Sequence, residues 1–237
     1  CGSSDPNTCN TDKRVQALEQ INQYNWGGAK GNDLNQFSIG FPTFWRDYER
    51  LGRTVATEHT MYTSSEKLWK YASATRGWTN KSPDGKKEWS DDYVPFTFKD
   101  DVSTKGTIAK VSFGFWESYH DFDVVWNYDA ASNAYTRDNG GSAHKDLNDN
   151  STITAKVVVV QLAKELGPLD EHKHMLYEII GTGKGIIFQD GTATEATWTK
   201  KDREARTVWT DSKGKKIAFN RGKIVFEVLP LDNAVDY

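Results

Sequence analysis

Arg46, His59 and Tyr62 stand in one stretch dense in charges, aromatics and hydroxyls, residues 44–69, and Arg137, His144 and Asp146 stand in a second, looser one. A guanidinium holds carboxylates and phosphates through a fork of N–H donors. An imidazole beside a carboxylate can take or give a proton near neutral pH. Two kinds of chemistry follow. One is binding of an anion or of sugar hydroxyls. The other is a hydrolase or transferase reaction with His59 or His144 as base and Arg46 or Arg137 clamping an anion. Neither a nucleophile elbow nor a serine or cysteine triad signature accompanies these residues. The six side chains are therefore candidates for ligand binding, with no catalytic assignment.

The elements around them are readable in outline. Pro42 biases the entry to the first stretch toward extended backbone. Residues 54–57, Thr-Val-Ala-Thr, favour strand. Thr63-Ser64-Ser65-Glu66 offers a helix cap before Lys67-Leu68-Trp69-Lys70-Tyr71. A strand or loop thus delivers Arg46 and His59 near the start of a capped helix. Upstream, Val15, Leu18, Ile21 and Tyr24 recur three apart and predict a helix capped by Asn10 or Thr11. Strand period appears at 93–98 and dominates beyond Gly106, at 107–115, 124–128, 134–137, 152–161, 175–180, 185–189, 194–199, 206–210, 216–220 and 223–229. Segment 152–161 is apolar on both faces through its middle, which predicts a central strand. The fold class is α+β. A small α/β N-terminal portion (1–100) precedes a predominantly antiparallel β domain (106–237), a meander closed or nearly closed like a barrel or roll.

Composition narrows the function classes. The chain has 237 residues with 9 Trp, 10 Tyr and 11 Phe, far too many aromatics for a disordered chain. A mean hydropathy of -0.72 pairs that aromatic core with a polar surface. Net charge is -3 with the signs interspersed, which argues against nucleic acid or an anionic membrane as partner. No apolar run approaches the ~18–20 residues of a membrane span. Both cysteines, Cys1 and Cys9, lie in CGSSDPNTC. Cys1 reads as the acylated first residue of a mature lipoprotein, or Cys1 and Cys9 close a short disulfide loop. Both readings place the protein outside the cytoplasm.

Three short motifs invite chemistry and are weak. Gly181-Thr182-Gly183-Lys184-Gly185 lacks the spacing of a phosphate loop and reads as a glycine bend between strands. Asp146-x-Asn148-x-Asn150 begins like a calcium loop but lacks its glycine and closing glutamate, so a solvated Asx-rich turn is preferred. His172-x-His174 is an incomplete metal set and suits a hairpin tip. No metal and no cofactor is expected.

As an ordered set the segments resemble the YerB-type bacterial lipoproteins, a two-domain family of unknown function. The resemblance is carried by FWRD with a following Arg, and by His59 leading into Met-Tyr-Thr-Ser and a helix. It continues through VVWNYD, Tyr135-Thr136-Arg137, His144-x-Asp146, the valine strand, GTGKG, Trp198-Thr199-Lys200 and a closing Asp-x-x-Gly hairpin. It covers most of the chain from about Gly27. The chain departs from the family at Glu58, Thr60 and Lys156, and its opening residues resemble a stretch internal to the family's first domain. Cys1 would then start a fragment, with any lipid anchor upstream. The resemblance implies an extracytoplasmic, envelope-associated protein and carries over Arg46, His59, Arg137, His144 and Asp146 as motif positions; these five and Tyr62 are expected to line a cleft between the domains. The function expected is non-catalytic binding or scaffolding, with a glycan or cell-wall polymer as partner.

Overall fold

A computed structural model of the chain describes residues 13–16, 20, 23, 31–82, 84–102 and 105–237. Cys1 and Cys9 lie outside the described residues, as does most of the helix expected around Leu18 and Ile21. The chain divides into two compact units, Cys1–Tyr93 and Val94–Tyr237.

In the first unit, α1 (Gln36–Ile39) is one turn capped by Asn35, whose Oδ1 accepts from Ser38 N at 3.0 Å. Strand β1 (Trp45–Arg46) pairs antiparallel with β2 (Met61–Tyr62). The strand expected at 54–57 is absent, and a 3-10 turn over Thr57–Thr60 feeds β2 instead. Local polar bonds override β propensity there: Thr60 Oγ1 donates to Thr57 O at 2.7 Å, and Arg46 bonds the same carbonyl. Helix α2 (Ser65–Ala74) follows, with Ser64 as its cap, its Oγ accepting from Lys67 N at 3.2 Å. Gly77, at φ 68°, turns the chain back so that Trp78 N donates to Ala72 O at 2.9 Å.

The second unit is built from two sheets. One holds β4 (Lys110–Phe113), β5 (Val124–Asp129), β6 (Ala134–Asn139) and β7 (Ser142–Ala143), with β8 (Thr154–Ala155) also on β6. The other is ordered β10 (Leu176–Glu178), β9 (Val157–Leu166), β11 (Gly181–Gln189), β12 (Thr192–Lys200), β13 (Val208–Thr210), with β15 (Ile224–Pro230) on β9. A short parallel pair, β3 (Phe98–Lys99) and β14 (Phe219–Asn220), completes the unit. The strand expected at 93–98 shrinks to this pair.

Strand β9 is central, as its double apolar face predicts, and Val157 to Val160 are all fully buried. Alternation divides them. Val158 and Val160 join Phe188, Leu229, Trp126, Tyr135, Val111 and Val124 in a core between the sheets. Val157 and Val159 join Ile187, Trp198, Trp209 and Phe219 on the opposite face. Two expectations need correction. The larger sheet is open, not a closed barrel, because its end strands β13 and β15 do not pair with each other. And β15 runs parallel to β9, from Ile224↔Val157 to Pro230↔Ala163, so the chain closes by a crossover and not by a further meander.

The GTGKG segment is strand interior, within β11, and not a bend. Cross-strand indoles require its glycines. A Cβ on Gly183 would fall 2.6 Å from the Trp198 ring, and one on Gly185 2.7 Å from Trp209.

Candidate functional site

The three candidates of the first unit gather around the 3-10 turn. Arg46 Nη1 donates to Thr60 Oγ1 at 3.0 Å and to Thr57 O, so its guanidinium braces the turn. Tyr62 Oη donates to His59 O at 3.2 Å, and Arg50 lies over the Tyr62 ring at 4.7 Å. His59 is exposed beside Leu51, Arg53, Val55 and Ala56, which line a shallow recess of about 420 Å³. The three residues lie near one another as their spacing implies, and Arg46 and Tyr62 are engaged in bracing the turn.

A larger cleft in the same unit escaped the sequence reading. Helix α2 presents Trp69, 68% exposed, and Ser73 one turn further along. The turn at Gly77 brings Trp78 and Thr79 to the same place. Trp89 returns through Trp89 N to Asn80 O, 2.9 Å, and its Nε1 donates to Thr79 O at 3.1 Å. With Asn32, Asn80, Glu88 and Ser90 these residues line a cleft of about 850 Å³. Its size is that of a small-molecule or oligomer site, and its walls are indole faces rimmed by amides, hydroxyls and one carboxylate. A signal was present in the sequence: Trp78 and Trp89 flank a loop otherwise made of Asn, Lys, Ser, Asp and Gly.

In the second unit Arg137 and His144 do meet. Arg137 Nη1 donates to His144 Nδ1 at 2.7 Å and to Asn139 Oδ1 at 3.0 Å, while its Nε donates to Glu227 Oε1 at 3.1 Å. Trp126 Nε1 donates to the same carboxylate oxygen at 3.2 Å. Arg137 and Glu227 are only 11% and 9% exposed at the side chain, so this ion pair crosses the apolar space between the sheets. Glu227 was missed. Its signal is the alternation Val225, Glu227, Leu229, which sets a lone carboxylate on an apolar strand face. Asp146 is engaged elsewhere, its Oδ1 accepting from Asn148 N at 2.7 Å and Asn148 Nδ2 at 3.0 Å.

The His144 contact has a chemical consequence. An arginine N–H can only donate, so Nδ1 is the acceptor nitrogen and the neutral ring carries its hydrogen on Nε2. The nitrogen able to take a proton is already occupied. In this arrangement Nε2–H is the donor that His144 can offer.

Elsewhere His174 Nδ1 lies 2.6 Å from Asp170 Oδ2 in a tight loop between β9 and β10, consistent with a hairpin tip. Among the described residues no cluster of three or more His, Cys, Asp or Glu could hold a metal ion.

Residues 111–225, which carry the Arg137–His144 contact and most of both sheets, match the family described as protein of unknown function (DUF3048) C-terminal domain. Most of the second unit therefore resembles a DUF3048 C-terminal domain. The chain also resembles the crystal structure of the YerB protein from Bacillus subtilis. The TM-score is 0.67 at 22% identity, over 93% of this chain and 67% of that one. The YerB-type fold expected from the ordered motifs is therefore present, and the family's function is unknown. No curated protein matches the chain. The Glu227 partner of Arg137 lies two residues beyond the matched segment.

Proposed function

We propose that this protein is an extracytoplasmic, envelope-associated binding protein, without catalytic activity, that holds a segment of glycan or wall polymer in the tryptophan cleft of its first unit. The observation that carries the reading is the cleft itself. A pyranose ring has an apolar C–H face and a rim of hydroxyls. Trp69, Trp78 and Trp89 offer flat apolar faces to the first, and Asn32, Asn80, Ser73 and Ser90 offer donors and acceptors to the second. The contact of His144 Nδ1 with Arg137 supports a positioning role for that residue. The spacing of Cys1 and Cys9 supports an oxidising compartment.

Isothermal titration of the full chain against soluble wall fragments and neutral oligosaccharides tests the reading. Heat of binding is expected with at least one of them, and a Trp69→Ala, Trp89→Ala double variant should lose about tenfold or more in affinity, the scale of two stacking contacts. Absence of heat with all of them, or full affinity in the double variant, would overturn it.

A further inference from the structure

We infer that the tryptophan cleft selects a glycan bearing a free amine, a hexosamine without its N-acetyl group, over N-acetylated and acidic glycans. The inference rests on the reading that the cleft holds glycan, and it names which glycan.

Charge is the reason. The cleft is lined by indoles, amides, hydroxyls and a single charged side chain, Glu88. No lysine or arginine among the described residues forms an ion pair with that carboxylate. The backbone fixes where the charge sits. Glu88 and Lys81 stand opposite each other in an isolated antiparallel backbone bridge, Glu88 N donates to Asp91 Oδ2 at 2.9 Å, and Asp91 N returns to Glu88 O at 3.0 Å. Two of the neighbouring lysines are drawn to other carboxylates, Lys87 to Asp92 at 3.2 Å and Lys86 to Asp84 at 3.7 Å. Beside Glu88 stands Trp89, 52% exposed, with Trp69 also exposed across the lining.

An ammonium carried on a sugar meets both groups together. The carboxylate attracts it directly, and an indole face attracts it through the negative lobe of the ring. An acetamido group keeps the stacking and the hydroxyl contacts but brings no charge. A uronate brings the wrong one, and like charges at close range oppose binding. The cleft therefore ranks three ligands that share one ring shape by the group they carry.

The experiment is calorimetric competition on the full chain at mildly acidic pH, where the sugar amine is protonated. The probes are β-1,4-linked tetramers of glucosamine, N-acetylglucosamine and galacturonate. The glucosamine tetramer should bind about tenfold tighter than the N-acetylated one, from a cation–π contact and an exposed ion pair acting together. The galacturonate tetramer should bind weakest. Glu88→Gln should bring the affinities for the glucosamine and N-acetylglucosamine tetramers to within about twofold of each other. Equal affinity for the first two tetramers overturns the inference and leaves glycan binding standing. A preference that survives Glu88→Gln also overturns it, assigning the attraction to the protein's net negative charge. Absence of binding by any tetramer defeats this inference together with the glycan reading.

Discussion

Glu227 shows what one residue can decide. Its carboxylate accepts from Arg137 Nε and from Trp126 Nε1, and it lies on the strand face that otherwise buries Val225 and Leu229. Bringing two charges between apolar sheets is costly, and the pair repays that cost only while both partners are present. Glu227→Ala would strand the Arg137 guanidinium in the core. We expect a loss of about 3–5 kcal/mol in unfolding free energy by urea denaturation. A loss below about 1 kcal/mol would mean that water or another group satisfies the arginine. At this scale the sequence was half legible. Arg137 and His144 were named because histidine and arginine near a flexible Gly-Gly announce themselves. Glu227 lies ninety residues away in sequence, and only the parallel crossover of β15 brings it there.

Among the elements, the turns of the second unit are tied by Asp190. This residue opens the β11–β12 hairpin turn at φ 55°, and its side chain is 6% exposed. Lys99 Nζ of β3 donates to it at 2.6 Å, and the side-chain amides of Asn133 and Asn220 at 2.8 Å each. Burial alone would raise its carboxyl, but these donors outweigh burial and hold it at about 2, below its ordinary 3.8. The sign follows. A depressed folded-state value contributes stability that is fully present above the unfolded value and is lost as pH falls through the folded one. Through this group the protein should lose about 2 kcal/mol between roughly pH 5 and pH 2. Asp190→Asn should flatten that part of the pH profile of urea unfolding, and an unchanged slope would contradict the assignment. Asp190-Gly191 was readable as a hairpin turn from its residue types. That it also anchors β3, β14 and the β5–β6 turn was not, since nothing local marks an aspartate as buried.

For the molecule as a whole, the nine tryptophans give the composition its meaning. Trp126, Trp198 and Trp209 are buried in the second unit, where glycines on β11 make room for two of them. Trp69 and Trp89 are exposed in the first, at the cleft. A count of aromatics forecast a dense core and was right about it, but a count cannot separate the indoles that pack from those that face solvent. The distinction depends on neighbours. Strand period surrounds the buried set, and polar turn residues surround Trp78 and Trp89. The antiparallel β character and the central strand were legible because period-two patterns are local. The open sheet and its parallel closing strand were not, because pairing partners are set by the whole unit's core.

The central claim is that ligand sits in the tryptophan cleft of the first unit. Amide hydrogen exchange of the full chain with and without saturating soluble wall fragments tests it directly, since bound ligand slows exchange where it orders the backbone. The account predicts protection across residues 65–93, strongest around Thr79, Asn80, Glu88 and Trp89, with the β9 and β11 amides unchanged. Protection confined to residues 94–237 would contradict it.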